Sequence, residues 1–220
     1  MAEVIIYSAR ICPFCHRSRL ALLEKGIDFE LVEIDLGNKP DWYPDLSPFG
    51  TVPALRHGEV RLWESAVINE YLEEVFPAPA LLPDDPGRKA LARIWIDFAN
   101  SRLVPAFYRL LEEQDAKARL QRQAELDKVL HIMETQGLGR LAGEGPYWLG
   151  DTVSLVDLAF YPWFERWPVL EHYRGASLPA DLPRLQGWRE AMAGRPAVRD
   201  DMEESAFYLA GYRDHATGRT

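Results

Sequence analysis

The two cysteines of the chain lie within one short segment, Cys12-Pro13-Phe14-Cys15-His16. Two cysteines separated by two residues are typical of a thiol–disulfide redox site. The same segment also matches the attachment motif of a c-type haem. Three sulfur and nitrogen ligands so close together could also begin a metal site. These three kinds of chemistry have to be weighed against the rest of the sequence.

Features elsewhere in the chain disfavour haem and metal. The N-terminal MAEVIIYSAR lacks a basic region and a long apolar region, so we expect no secretory signal peptide. Covalent haem attachment needs export and a second axial ligand, for which no methionine or histidine stands out. A structural zinc site requires four ligands, whereas only three are clustered here. We therefore expect reduced thiols in the cytoplasm, with no haem and no metal.

The composition predicts a folded protein without nucleic-acid or membrane partners. The chain has 220 residues, of which 47% are hydrophobic, so it can bury a core and has room for two small domains. The 34 acidic residues outnumber the 25 basic ones, which gives a formal net charge of −9. An acidic chain without basic runs is a poor ligand for phosphate backbones or anionic lipids. No run approaches the length of a membrane span.

Residues 1–78 show the pattern of an α/β domain. Apolar runs predict strands over 4–7 and 29–34, and a helical pattern runs between them over 13–25. A strand, a helix and a strand in about 30 residues form a βαβ unit with a parallel sheet. Two short strands flank His57-Gly58, and a helix follows over 65–75. The order βαβ then ββα is the plan of a thioredoxin-like domain.

The remaining sequence predicts a linker followed by an all-α domain. A proline-rich stretch over 79–87 indicates the linker, with a helix start at Asp85-Pro86, and we expect helices throughout 88–220. Ser154 and Asp157 have the spacing of a capping box. The predicted helices cover 88–111 with a bend at Pro105, 116–135, the segment LVDLAFYPWFERW after the capping box, 183–193 and 198–212.

Cys12 has the position of an activated nucleophile. If the first strand ends near Ser8 and the helix begins at Pro13, Cys12 is the N-cap residue. There, backbone N–H groups and the positive end of the helix dipole favour a thiolate and lower the pKa of a cysteine. Cys15 lies one turn deeper and is either a resolving thiol for a mixed disulfide at Cys12 or a packed core thiol. We interpret His16 as a residue of the helix surface rather than a base.

Two further segments supply what a tripeptide thiol needs. In TVPAL, Pro53 follows the β-branched Val52 and is a candidate cis peptide, and the backbone of Val52 could pair with an extended thiol peptide. In WESAVI, Ser65 and the first N–H groups of a helix suit a carboxylate, while Glu64 suits an ammonium group. The γ-glutamyl end of glutathione carries both charges. Lys39 could hold its other carboxylate.

Taken in order, these segments resemble the cytosolic glutathione transferases, most closely the omega class. YSARICPFCHRSRLALLEKGI is similar to the cysteine helix of the family, and NKPDWY, SPFGTVPAL, ESAVINEYL, LLPDDPGRKA and DLAFYPWFERW match family stretches in the same order. The resemblance implies the glutathione transferase fold and an enzyme that uses glutathione as co-substrate. Omega-type enzymes reduce glutathione mixed disulfides, dehydroascorbate and some S-glutathionyl ketones, and they are homodimers.

The resemblance also implies residue roles. Cys12 is implied as the nucleophile, and the implied glutathione contacts are Phe14, Lys39, Val52, Pro53, Glu64 and Ser65. A co-substrate pocket between the domains is expected to be lined by Phe107, Tyr108, Trp163 and Trp167. Cys15 departs from the family pattern, because animal members have alanine there, and this leaves a dithiol mechanism open. The tail over 204–212 shares little with the family.

Two rival functions are open at this point. In other transferase classes a tyrosine at the end of the first strand activates glutathione for conjugation, and Tyr7 has about that place. Some proteins of this fold, such as the stringent starvation proteins, are not enzymes and bind RNA polymerase or other partners. A sulfur at the helix start disfavours the first rival, because Cys12 would capture glutathione as a disulfide. The combination of Cys12, Lys39, Glu64 and Ser65 disfavours the second.

Overall fold

The computed structural model describes residues 3–219, which form two compact units that divide between Leu82 and Pro83. The first unit contains a four-stranded sheet with helices, and the second is helical. This is the fold class predicted from the sequence, and the prediction is confirmed. The division falls within the predicted linker, but the first helix of the second unit already begins at Pro86. Within the described residues, no helix is long and apolar enough to span a membrane.

The sheet of the first unit has the strand order β2-β1-β3-β4. β1 and β2 are parallel, and the other neighbouring pairs are antiparallel. For β1, α1, β2 and α2, the observed ends lie within one residue of those predicted from the apolar patterns. The elements of this unit are Val4–Ser8 (β1), Pro13–Glu24 (α1), Phe29–Glu33 (β2), Ala54–His57 (β3), Val60–Trp63 (β4) and Ser65–Val75 (α2).

The two faces of the sheet are covered differently. Ser8 lies on the face that α1 covers, because its hydroxyl accepts a hydrogen bond from Arg19 of α1, with an Nη1–Oγ distance of 2.8 Å. Successive side chains of a strand point to opposite faces, so Tyr7 lies on the other face. There its ring lies 5.7 Å from that of Trp42 and 6.5 Å from that of Tyr43, centroid to centroid. We call this second face the turn-covered face, after the short 3-10 turn that begins at Tyr43.

Helix α1 is more deeply buried than its sequence indicates. His16, Arg17 and Arg19 are at most 1% exposed, although residues of these types usually face solvent. The expectation that His16 lies on the helix surface is therefore wrong, because this stretch of α1 is enclosed on all sides. Arg17 Nη1 lies 3.5 Å from Ser65 Oγ, and Asn69 Nδ2 donates to Arg17 O. Polar side chains thus connect α1 with α2.

A buried charge pair fixes the segment through which the chain leaves the first unit. The Lys25 side chain has no exposed surface, and its Nζ lies 2.6 Å from a carboxylate oxygen of Glu73. It also donates to Phe76 O at 2.7 Å and to Pro79 O at 2.9 Å. The Glu73 carboxylate accepts hydrogen bonds from the backbone N–H groups of residues 81–82. Polar contacts at the ends of α1 and α2 therefore hold this exit segment.

The second unit contains ten α-helices within the described residues. They are Pro86–Phe98 (α3), Val104–Glu112 (α4), Ala116–Ile132 (α5), Gly139–Leu141 (α6), Leu155–Glu165 (α7), Trp167–Arg174 (α8), Pro183–Ala193 (α9), Pro196–Asp201 (α10), Ser205–Gly211 (α11) and Arg213–Thr217 (α12). The predicted helix over 88–111 contains a π-helical stretch, Ala99–Leu103. The predicted helix over 116–135 ends as an α-helix at Ile132 and continues as a π-helical stretch, Met133–Leu138, beyond its predicted end. The first stretch lies just before Pro105, which cannot donate a backbone hydrogen bond to the preceding turn.

Two other predicted helices are divided in the structure. The segment LVDLAFYPWFERW forms α7 and the beginning of α8, with Arg166 as the residue between them. The prediction of one helix over 198–212 is wrong, because the chain is not helical between α10 and α11. Met202 and Glu204 have extended backbone angles there, with ψ values of 150° and 147°. Apolar spacing alone does not reveal such breaks, since it continues across them.

The predicted capping box at the start of α7 is confirmed and is fully buried. Asp157 Oδ2 accepts hydrogen bonds from the Ser154 N–H at 2.7 Å and from its hydroxyl at 2.6 Å. Asp157 Oδ1 accepts from the Trp148 N–H at 2.9 Å and from Trp188 Nε1 at 2.8 Å. Burial raises the pKa of the carboxyl, and these hydrogen bonds oppose the shift. One side chain thus joins the start of α7 to α9 and to the loop after α6.

Candidate active site

Cys12 is the N-cap residue of α1, as the sequence predicts. Its backbone is extended, with φ −76° and ψ 121°, and Pro13 follows it in the first turn. The Cys12 N–H donates to Ala9 O at 2.9 Å, so a tight turn joins β1 to α1. The Cys12 side chain is partly buried. A sulfur in this place lies at the positive end of a helix dipole, which favours a thiolate both as attacking group and as leaving group.

The turn before β3 lies opposite Cys12. The Cys12 sulfur is 3.9 Å from Val52 O, although 40 residues separate the two in sequence. The Val52–Pro53 peptide is cis, which confirms the expectation from TVPAL. The hydroxyl of Tyr43 donates to Thr51 O at 3.0 Å, one residue before Val52. The sulfur therefore faces backbone that a side chain holds in position.

Tyr43 is a positioning residue that the sequence analysis missed. It is fully buried and packs with Ile34, Leu46 and Ala54. Burial raises the pKa of its phenol, and the nearby Cys15 and Cys12 contribute to the shift. The phenol therefore stays protonated and donates its hydrogen bond. Its sequence signal is weak, because the surrounding loop GNKPDWYPDLSPFG contains three prolines and has no periodicity.

Cys15 is buried beneath the turn that carries Cys12. Its side chain has no exposed surface, and its sulfur accepts a hydrogen bond from the Ala9 N–H at 3.3 Å. Burial raises the pKa of the Cys15 thiol well above its usual value, and the neighbouring Cys12 raises it further through a hydrogen bond and through charge. The two sulfurs are therefore neighbours. A thiol that is held protonated is a weak nucleophile, so this environment favours the core role over the resolving role.

We expect iodoacetamide to alkylate Cys12 but not Cys15 in the native protein at pH 8. Alkylation requires a thiolate and access, and Cys15 has a raised pKa and no exposed surface. Peptide mass spectrometry after a short exposure should locate the label on Cys12, and prior unfolding in guanidinium chloride should add a label on Cys15. Cys12→Ser is the matched control and should remain unlabelled until it is unfolded. Equal native labelling of both cysteines would contradict this assignment.

The start of α2 combines backbone strain with two of the predicted glutathione contacts. Glu64 has φ 70° and ψ 106° and is the only non-glycine residue with positive φ among residues 3–219. Such a conformation costs about 1–3 kcal/mol and is found mostly at functional sites. The exposed Glu64 carboxylate and the buried Ser65 hydroxyl lie where the first N–H groups of a helix lack intrahelical partners. This arrangement suits an amino acid that carries a carboxylate and an ammonium group.

Two other predicted contacts lie in different surroundings. Phe14 is partly buried, and the Arg17 guanidinium lies 5.1 Å from the centroid of its ring. Lys39 is exposed in the loop after β2, where its Nζ donates to Leu36 O at 3.3 Å. The roles of Phe14 and Lys39 toward glutathione stay predictions.

The structure contradicts most of the predicted co-substrate pocket. Phe107, Trp163 and Trp167 have no exposed surface and belong to the core of the helical unit. A ring without exposed surface cannot line an open pocket, so the expectation is wrong for these three. Tyr108 is partly exposed, and its hydroxyl lies 3.4 Å from that of Tyr212. Of the four aromatic residues, it alone has surface to offer a ligand.

Two alternatives to a cysteine nucleophile are a tyrosine that activates glutathione and a metal site. Tyr7 lies on the turn-covered face with Trp42, whereas α1, which Cys12 begins, lies on the other face of the sheet. The assignment of Cys12 rather than Tyr7 as the residue that meets the glutathione sulfur stays a prediction. In residues 3–219, no three His, Cys, Asp or Glu side chains are grouped so that they could hold a metal ion.

Profiles of one protein family match parts of both units. The profile described as glutathione S-transferase, N-terminal domain, matches residues 11–75, and that described as glutathione S-transferase, C-terminal domain, matches residues 114–191. Glutathione S-transferase omega-2 of Rattus norvegicus is 34% identical over 201 residues, which cover 88% of this chain and 76% of the relative.

Solved structures extend the similarity to nearly the whole chain. Glutathione transferase Omega 3C from Trametes versicolor superposes with a TM-score of 0.86 at 30% identity, over 99% of this chain and 93% of that one. The dehydroascorbate reductase of Chlamydomonas reinhardtii superposes with a TM-score of 0.81 at 26% identity, over 96% of this chain and 98% of that one.

Proposed function

The chain belongs to the glutathione S-transferase family and is an omega-like glutathione transferase, and on this premise we propose that it is a thiol transferase with Cys12 as its nucleophile. The proposed substrates are glutathione mixed disulfides and dehydroascorbate, with S-glutathionyl ketones as a further class. The observation that carries the proposal is the place of Cys12. Cys12 is a partly exposed residue at the N-cap of α1, and its sulfur lies 3.9 Å from Val52 O.

Glutathione is proposed to bind as an extended peptide between the starts of α1 and β3. Its cysteine would pair with the backbone of Val52, beside the cis Pro53, as an added strand does. Its γ-glutamyl end would reach the start of α2, where Ser65 and the first N–H groups suit the carboxylate and Glu64 suits the ammonium. Lys39 would meet the glycyl carboxylate. Phe14 would pack against the peptide.

The proposed reaction proceeds by two thiol–disulfide exchanges. The Cys12 thiolate attacks the glutathione sulfur of a mixed disulfide, and the substrate sulfur leaves and takes up a proton. A second glutathione, as its thiolate, then attacks the glutathione sulfur bound to Cys12. Glutathione disulfide leaves, and the Cys12 thiolate is regenerated. With dehydroascorbate, the Cys12 thiolate would add to a carbonyl carbon, whose oxygen takes up a proton. A glutathione thiolate would then attack the Cys12 sulfur and form the Cys12–glutathione disulfide, while the electron pair of the broken carbon–sulfur bond stays on the carbon as ascorbate forms. A second glutathione thiolate would release Cys12 and leave as glutathione disulfide.

Further properties complete the proposal. The co-substrate is proposed to contact Tyr108, since that aromatic side chain has exposed surface in the helical unit. The protein is proposed to act as a homodimer, which the resemblance to the omega class supports. A cytoplasmic location is supported by its two reduced cysteines, because a reducing compartment keeps such thiols free for catalysis.

We expect oxidised glutathione to form one mixed disulfide with the protein, and we expect it at Cys12. The sulfur at the helix start is the accessible one, whereas Cys15 is buried and held protonated. Intact-protein mass spectrometry should show one adduct, which reduced glutathione should remove, and peptide mapping should locate it. Cys12→Ser is the matched control and should show none. The proposal is wrong if no adduct forms or if the adduct is found on Cys15.

A further inference from the structure

A cavity lies in the first unit, on the turn-covered face of the sheet. It has a volume of about 390 Å³, which is within the range of small-molecule sites. Its walls come from β1, the 3-10 turn, β3 and β4. The lining residues are Tyr7, Trp42, Asp45, Leu46, Arg56 and Arg61. We call it the arginine cavity, and neither the proposed thiol chemistry nor the glutathione contacts use it.

Two arginines lie side by side on one wall of this cavity. Arg56 of β3 and Arg61 of β4 are direct partners in the antiparallel register, so their side chains leave the same face of the sheet. Directly opposed like charges destabilise a sheet. Within residues 3–219, neither guanidinium has an ion pair or hydrogen bond to relieve this repulsion. An anion placed between them would do so, because each guanidinium can bind a carboxylate through two N–H groups.

Aromatic rings form the other wall of the arginine cavity. Trp42 is 47% exposed, although tryptophan is highly buried on average, and the Tyr7 ring meets it edge to face at 5.7 Å. These rings offer an apolar surface to a planar ligand. The Asp45 carboxylate also lines the cavity and can accept a hydrogen bond from a ligand. The two guanidinium groups and one carboxylate leave one positive charge, which matches a monoanion.

We infer that the arginine cavity binds a small aromatic carboxylate that carries a hydroxyl or amino group. Its carboxylate lies between Arg56 and Arg61, its ring packs against Trp42 and Tyr7, and its hydroxyl or amino group donates to Asp45. The site is separate from the thiol chemistry at Cys12, so binding leaves thiol transfer in place.

The first test is a calorimetric titration of the full-length protein with 4-hydroxybenzoate. We expect binding, and we expect Arg56→Gln and Arg61→Gln each to weaken it by at least about tenfold, because each removes a charged hydrogen-bond donor. Methyl 4-hydroxybenzoate lacks the charge, and cyclohexanecarboxylate lacks the aromatic ring, so both should bind more weakly than 4-hydroxybenzoate. Arg213→Gln, an exposed arginine of α12, is the matched control and should bind like the unmodified protein.

The second test uses the repulsion between the two arginines. Without ligand, Arg61→Gln should raise the melting temperature by about 1–3 °C, whereas Arg213→Gln should leave it unchanged. With saturating 4-hydroxybenzoate, the unmodified protein and Arg213→Gln should melt at a higher temperature than Arg61→Gln, because both gain more stability from the ligand than Arg61→Gln does. The inference is overturned if 4-hydroxybenzoate does not bind at millimolar concentration, if the methyl ester binds equally well, or if Arg61→Gln binds like Arg213→Gln. Thiol transfer by Arg61→Gln should be unchanged, so these outcomes are independent of the proposed function.

Discussion

Replacing Cys12 with serine is expected to lower kcat/KM for thiol transfer by at least about 1,000-fold, because the attacking and leaving sulfur is removed. The hydroxyl that replaces it stays protonated at neutral pH, even at the positive end of the α1 dipole. The measurement is the reduction of the mixed disulfide between cysteine and glutathione, followed by the oxidised glutathione that it releases. Circular dichroism should show an unchanged fold, since Cys12 is partly exposed and is not a core residue.

Two control variants distinguish the mechanisms that compete with a single cysteine nucleophile. Tyr7→Phe should retain thiol transfer, because the Cys12 sulfur and not the Tyr7 phenol carries out the proposed exchange. Cys15→Ala should also retain most of the activity, because a second glutathione rather than the buried thiol releases the adduct. Loss of activity in Tyr7→Phe together with retention in Cys12→Ser would refute the nucleophile assignment. Loss in Cys15→Ala with an intact fold would instead favour a dithiol mechanism.

Replacing Asp157 with alanine is expected to destabilise the helical unit by about 3–5 kcal/mol. The carboxyl accepts four hydrogen bonds from Ser154, Trp148 and Trp188, and all four donors would lose their partner in a buried place. Five of the seven tryptophans lie in the helical unit, so unfolding in urea followed by tryptophan fluorescence reports mainly on this unit.

The stability prediction has graded controls on the same segment. Ser154→Ala removes one hydroxyl donor and should cost about 1 kcal/mol, as is usual for an N-cap residue. Asp151→Ala changes an exposed carboxyl near α7 and should cost less than about 0.5 kcal/mol. If Asp157→Ala is no less stable than Asp151→Ala, the buried network does not hold the unit together.

Local patterns predicted much of the fold and of the candidate site. Period-2 and helical spacing gave the order of strands and helices in the first unit. Cys12 could be placed at an N-cap because an apolar run and a Pro13 start signal bracket it. The cis peptide at Pro53 and the capping box of Asp157 could be predicted because their signals span only a few residues.

Long-range packing accounts for what the sequence did not reveal. Arg17 and Arg19 read as surface residues, because only the tertiary structure encloses α1 on every side. Trp163 and Trp167 were predicted to line a pocket, because the sequence does not distinguish an aromatic residue in a core from one in a cavity. The pairing of Arg56 with Arg61 across β3 and β4 depends on strand register, which only the paired strands define.

The charge pair of Lys25 and Glu73 has a consequence for how this fold can be dissected or recombined. A fragment cut at residue 78 would leave the ammonium without Pro79 O, and the carboxylate without the two N–H donors of residues 81–82, at a cost of several kcal/mol. A cut after residue 82 keeps every one of those partners. The smallest piece that natural exchange or laboratory shuffling could move intact therefore ends at residue 82, whose N–H is the last donor to the Glu73 carboxylate. This end lies several residues beyond α2, the last helix of the sheet-containing unit.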